Sequence, residues 1–237
     1  MRFDRSSLQA NVLLIISTYI LYLGVRQDLD LYIHPRYIVF TIVLAGIGFI
    51  MTSLYAVKSK NTAEHDHGSK MLLVPLFFLL AAGLLLPGKT LSSATVSQRT
   101  TDAGSIVATT DSGPVDTLFA GSSRGLRLRD WSQILATNND PAFYATKPAK
   151  VSGFVFDAGL GDDTVWLARF VLTCCAVDAQ PVGVPVQIEN WQQTYEEDQW
   201  LEVEGVFRLA DTDDGEQIVL IPDTIEEINQ PDNPYAN

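Results

Sequence analysis

The chain has little of what most catalytic centres are made from. Its 237 residues include 2 cysteines and 3 histidines, and the histidines, His34, His65 and His67, all fall in the first third. The remaining two thirds therefore contain no Ser–His or Cys–His pair. A phosphate-cradling loop is missing too: the nearest run, Gly121–Ser122–Ser123–Arg124–Gly125, lacks the lysine and the spacing that such a loop requires. Carboxylates are abundant but form no recognisable pair. A non-enzymatic role is expected.

Charge is absent from three long stretches, Ser6–Val25, Tyr37–Val57 and Met71–Gly88. As helices they would measure roughly 30, 31 and 27 Å, close to the thickness of a bilayer's hydrocarbon core. Lipid offers no partner for a free backbone N–H or C=O, so such segments are stable there only as helices. Three spans, about 6–25, 37–57 and 71–88, are expected within a transmembrane region 1–90. The third is the shortest and carries Pro75 in its first turns, which leaves two spans as the alternative. No small-x-small cleavage site follows Leu23–Gly24–Val25, which argues against a signal peptide. Nor does any acidic or basic residue interrupt the spans to offer an ion path.

Basic residues in the short loops set the orientation. Arg2, Arg5, Lys58, Lys60 and Lys70 lie on one side, against Arg26 and Arg36, offset by Asp28 and Asp30, on the other. This places the N-terminus in the cytoplasm and everything after the third span outside. Residues 1–86 hold 7 Lys+Arg and 5 Asp+Glu, whereas residues 87–237 hold 9 and 23, giving the overall −12. So acidic a C-terminal part repels phosphate backbones, and nucleic-acid binding is disfavoured.

The segment 91–125 is rich in Ser, Thr, Gly and Asp and reads as a polar linker. A domain at 126–237 follows, opening with a short amphipathic helix over Asp130–Ala136 capped by Asp130. From Lys147 the pattern turns to strands: Ala149–Phe156 with a bulge or tight bend at Gly153, Thr164–Thr173, an edge strand around Val184–Ile188 containing Pro185, Trp200–Leu209, and Gln217–Ile221, followed by Thr224–Ile228 as its extension or as a helical turn. Five short strands in a core at 147–228 fit a small OB-like barrel, with a small sandwich as the competing arrangement. The expected fold class is an α+β membrane protein: transmembrane helices, a linker and an all-β extracytoplasmic domain.

Two clusters could hold a metal ion. Cys174 and Cys175 are adjacent at the end of the Thr164–Thr173 strand, with Asp178 three residues on. Strand geometry would send neighbouring thiols to opposite faces. On one reading Cys174 continues the Trp166/Phe170/Leu172 face as a small buried residue. On another, both thiolates and Asp178 bind zinc or copper, with a fourth ligand still needed. Redox chemistry of the vicinal pair is a third reading. In the loop between the second and third spans, Glu64–His65–Asp66–His67 could catch a divalent cation or be an ordinary hydrated loop. By the expected topology the two clusters lie on opposite sides of the membrane.

The run Ala168–Arg169–Phe170–Val171–Leu172–Thr173–Cys174–Cys175–Ala176–Val177–Asp178–Ala179–Gln180–Pro181–Val182 resembles the signature of the YcgQ-like permease subunits. So do Trp200–Leu201–Glu202–Val203–Glu204–Gly205, Pro231–Asp232–Asn233–Pro234–Tyr235 and Tyr32–Ile33–His34–Pro35–Arg36. The resemblance implies a multi-pass protein of the bacterial plasma membrane that works as accessory subunit beside a separate multi-span permease, with a link to zinc. It makes Cys174, Cys175 and Asp178 the metal-ligand candidates, with His65 and His67 behind them.

Overall fold

The computed structural model describes residues 5–60, 81, 90–103, 123–212 and 215–236. The chain divides into two compact units, one on each side of the Lys89–Thr90 bond.

In the first unit, helices α1 (Arg5–Arg26) and α2 (Pro35–Lys60) are joined by a 3-10 turn at Asp28–Leu31. The reversal uses Gln27 in the left-handed region, at φ 63°, and an Arg26–Asp28 ion pair of 3.1 Å. Pro35 opens α2 where its missing N–H is no loss, and His34 Nδ1 accepts the Arg36 N–H at 3.1 Å. Both helices are long and apolar enough to cross a membrane. The third expected span, 71–88, lies outside the described residues except for Ala81.

The packing of this pair is inverted relative to a water-soluble hairpin. Ser17, Ala45 and Thr52 are buried, while Val39, Phe40, Val43, Ile47, Ile50, Met51 and Leu54 are exposed. A Cβ added at Gly48 would lie 2.9 Å from Ser17 Oγ, so the two backbones approach closely there. The hydroxyls of Thr18 and Thr52 each donate to a carbonyl one turn back, at 2.7 Å. Small residues inside and large apolar ones outside is the arrangement that lipid favours, because lipid gives no hydrophobic drive to bury the large ones.

The second unit is built on five strands: β1 (Pro148–Phe156), β2 (Thr164–Val171), β3 (Gln180–Gln187), β4 (Trp200–Thr212) and β5 (Gly215–Glu227). They form a closed barrel in the order β1-β2-β3-β5-β4, with β1 and β4 pairing to complete the circuit. All pairings are antiparallel except β3–β5, which is parallel and registers at Val186↔Leu220 alone. This seam is where the Pro185-containing strand was expected to be an edge. The run expected at Gln217–Ile228 is one strand, β5. The bulge falls at Glu204/Gly205 rather than at Gly153. Gly153 is instead a close-approach site, where a Cβ would meet the Ala168 carbonyl at 2.8 Å.

Alternation sorts the strand residues into two apolar clusters. Val151, Val155, Val165, Leu167, Val184, Leu201, Val203 and Phe207 fill the interior, joined by Trp131 and Ile134 from helix α3 (Leu128–Thr137) and Trp191 from the one-turn helix α4 (Trp191–Thr194). The helix expected at Asp130–Ala136 therefore starts earlier. Its N-cap is Arg127, whose N–H donates to Asp130 at 2.8 Å, so Asp130, at the third helical position, reaches back to satisfy the N-cap amide. A second cluster covers the outside of β1 and β2: Phe154, Phe156, Ala168, Phe170, Leu172, Ala179, Trp200, Val96 and Tyr235.

Val96 belongs to a further helix, αN (Ser93–Ala103), inside the segment expected to be a polar linker. An 11-residue helix rich in Ser and Thr has little stability of its own. Docking supplies it: Val96 is fully buried, worth about 2 kcal/mol, and Asp198 accepts from the Ser93 N–H at 2.6 Å and hydroxyl at 3.0 Å. Residues 104–122 of that segment lie outside the described residues.

The α1–α2 packing can be tested by cross-linking. An ideal Cβ at position 48 lies 4.0 Å from the Ser17 Cβ, inside the roughly 3.5–4.5 Å that a disulfide spans. In a chain carrying Cys174→Ser and Cys175→Ser, the pair Ser17→Cys/Gly48→Cys is expected to close on mild oxidation and give a thiol-reversible gel shift. Val39→Cys with Ser17→Cys is expected to give none. A shift of equal yield in both would contradict this packing.

Candidate metal centre

Strand β2 ends at Val171, whose register partner Gln180 opens β3. The two cysteines therefore lie beyond the strand, in the β2–β3 connection. Leu172 and Ala179, at 2% and 0% exposure, pin the two arms of this connection into the outer apolar cluster. What lies between them projects outward. Cys174 is exposed, Cys175 half-buried and Val177, at the tip, 85% exposed.

Asp178 shapes the turn. Its Oδ1 accepts the N–H groups of Thr173 at 3.1 Å and Cys175 at 3.3 Å, and its Oδ2 accepts that of Cys174 at 2.7 Å. Gathering three successive amides onto one carboxylate curls the backbone, and the Asp178 N–H closes back on the Cys175 carbonyl at 3.1 Å. The thiols consequently converge, with Sγ–Sγ 3.5 Å. This corrects two expectations: the side chains do not diverge, and Cys174 is not a buried continuation of the Phe170/Leu172 face. Strand alternation does not apply, because the pairing that enforces it stops three residues earlier.

Charge and proton positions follow from this geometry. Burial pushes the Asp178 carboxyl up, but the hydrogen bonds from the Cys174 thiol and from the Cys174, Thr173 and Cys175 amides outweigh it and hold the group below its ordinary value. The Cys174 thiol is pushed up to about 12, first by its hydrogen bond to Asp178 and then by Cys175. Asp178 is thus an anion at neutral pH, and Cys174 is a protonated donor to it.

Three ligand atoms, Cys174 Sγ, Cys175 Sγ and an Asp178 oxygen, lie within 4.8 Å of one another. Two zinc–thiolate bonds of about 2.3 Å at a tetrahedral angle place the sulfurs about 3.8 Å apart, whereas the same bonds in a linear two-coordinate site place them about 4.6 Å apart. The observed 3.5 Å fits the tetrahedral bite. Three donors leave one tetrahedral position for another ligand. His65 and His67 lie outside the described residues.

The other motif residues meet beside this turn. The Arg169 guanidinium stacks over Trp200 at 5.1 Å and donates to the Asn233 carbonyl at 3.3 Å. Burial, then the Arg127 charge, lowers its pKa. Phe170 bridges to Tyr235 and accepts the Ala236 N–H at 2.9 Å. Three runs far apart in sequence thus form one lock that holds the C-terminal tail along β2, next to the thiol turn. Sequence reading flagged all three but could not tell that their work is mutual packing.

The second unit is thus a small barrel presenting a vicinal-dithiol turn, and the first contains a pair of apolar helices. Family models match both units: the DUF1980 N-terminal domain over residues 8–102 and the DUF1980 C-terminal domain over residues 127–237. The chain belongs to the DUF1980 family and carries both of its domains. No curated protein matches it.

Thiol reactivity reports the Asp178 contact. A folded-state thiol pKa raised above the unfolded value favours the protonated form at neutral pH and loses that advantage only as pH rises through the folded pKa. In a Cys175→Ser background, Cys174 is expected to react with iodoacetamide slowly at pH 8. Asp178→Asn is expected to accelerate the reaction by at least about tenfold. An unchanged rate would remove Asp178 as the cause.

Proposed function

We propose that this chain is the membrane-anchored accessory subunit of a two-component permease, whose exported barrel carries zinc on Cys174, Cys175 and Asp178 and docks on the partner permease. The observation that carries the metal part is the convergence of two thiols and a carboxylate on an exposed turn, with sulfurs 3.5 Å apart. An exposed site with one ligand position left over suits an ion that is handed on rather than locked in. The permease part rests on the resemblance of the motif runs to the YcgQ-like subunits. In this reading α1 and α2 are membrane spans, supported by their length, their composition and their apolar exteriors. The barrel's place outside the cell rests in this reading on the third span expected from the sequence at 71–88. The barrel's strand order supports an OB-like fold.

Zinc bound when present would act here as cargo held by soft and hard donors together. The chain's own part is to supply the anion at Asp178 and to release the thiol protons as metal enters.

A second reading is a free-standing metal- or redox-binding module using the same two cysteines, on a turn that Asp178 organises through three amide hydrogen bonds.

Three measurements test this. With full-length chain in detergent and His65→Ala/His67→Ala in the background, zinc affinity by chelator competition is expected to fall at least about tenfold for each of Cys174→Ser, Cys175→Ser and Asp178→Asn. Equal affinity in all variants rejects the thiol site. Crosslinking followed by purification is expected to bring a multi-span membrane protein with the chain, and recovery of the chain alone would favour the free-standing module. For compartment, a membrane-impermeant maleimide is expected to label Val177→Cys, at the exposed tip of the turn, in sealed cells carrying Cys174→Ser and Cys175→Ser. Labelling only by a permeant reagent would put the barrel on the cytoplasmic side.

A further inference from the structure

A cleft of about 420 Å³ opens on the barrel wall away from the thiol turn, between helix α3, strands β2 and β3, and the β4–β5 hairpin. Its volume is in the range of small-ligand pockets. One wall is the half-buried indole of Trp166. That indole lies flat because position 183 is glycine: a Cβ there would fall 2.5 Å from Trp166 Cε3 and 2.8 Å from the Leu167 carbonyl. Facing it are Glu216 and Gln217 from β5, with Leu209 and Ile218 supplying apolar surface.

Three independent features there favour positive charge. Glu216 is the charged group among the described residues lining the cleft. Leu135 and Ala136 bring in the last turn of α3, which contains no basic residue to offset the negative end of the helix dipole. The face of an indole attracts cations as well. Apolar walls around this negative focus select a cation on a hydrocarbon stem over a bare metal ion, which would demand a shell of oxygen ligands.

We infer that this cleft recognises an organic cation, an alkylguanidinium or alkylammonium group, stacked on Trp166 and paired with Glu216. The group could reach the cleft as the basic side chain of a polypeptide or as a free small amine, and the two sources share this chemistry. The site is separate from the thiol turn and stands whether or not that turn binds zinc.

The test uses full-length chain in detergent with three probes: N-acetyl-arginine methylamide, its uncharged citrulline counterpart, and agmatine. Binding is read by ligand-observed saturation-transfer NMR and by fluorescence. Trp166 is the half-buried tryptophan, whereas Trp131, Trp191 and Trp200 are buried. The arginine probe is expected to bind, with affinity falling about tenfold or more for citrulline and for Glu216→Gln and Trp166→Leu. Trp166→Phe is expected to retain most of it, and Glu197→Gln, an exposed acid outside the cleft, all of it. Tighter binding of the arginine probe than of agmatine indicates a polypeptide source, and the reverse a free amine. Equal binding of arginine and citrulline probes, or no effect of Glu216→Gln in a variant with unchanged thermal unfolding, would overturn the assignment.

Discussion

Both faces of β2 have to be buried, and most of the second unit is arranged to satisfy that constraint. A strand in an ordinary small barrel shows one face to the interior and one to water. Here Val165 and Leu167 point inward while Ala168, Phe170 and Leu172 join a second apolar cluster outside. Left bare, that outer surface would be a contiguous apolar patch of the kind soluble surfaces avoid. The second unit covers it with residues that flank the barrel in sequence, Val96 before it and Tyr235 after it. The Arg169–Trp200–Asn233 contacts fasten the second of these covers.

This double burial also makes the thiol turn. Leu172 and Ala179 are held in the outer cluster, so the residues between them are forced outward as a short arch. Asp178 then organises the arch by collecting three amides, and the thiols converge as a by-product of that collection. The same carboxylate has two roles. As hydrogen-bond acceptor it builds the turn, and as an anion beside two sulfurs it makes the turn a metal-ion candidate. Replacing it by a neutral group would disturb both, which is why thiol reactivity and metal affinity are separate measurements.

The first unit follows different physics. Ser17, Ala45, Gly48 and Thr52 at the helix contact let backbones come close, and the Thr52 hydroxyl finds a carbonyl partner one turn away. Large side chains are turned outward, the arrangement that a lipid surrounding would favour. A hairpin of this composition in water would expose most of its apolar area, so its packing and its apolar exterior argue together for a lipid surrounding.

Sequence by itself determined the elements whose signal is local. The uncharged lengths around α1 and α2 are visible because one long apolar run is enough to define each. Four of the five strands were legible within a few residues, since alternation of burial is written into each strand separately; in the fifth the local pattern left Thr224–Ile228 open between strand and helix, and pairing with β4 decided it. The acidic balance and the absence of a histidine partner for catalysis also needed no structure. Tertiary contacts decided the rest. Helix αN has poor intrinsic propensity and exists because Val96 finds an apolar pocket and Ser93 finds Asp198. The direction of the two thiols was misread from sequence, because alternation holds only while a strand stays paired, and β2 loses its partner at Val171. The cleft beside Trp166 was invisible for a related reason: it joins residues from α3, β2, β3, β4 and β5 that only barrel closure brings together. Periodicity reports what each segment buries, but not which distant segment will bury it, and both candidate sites depend on the second kind of information.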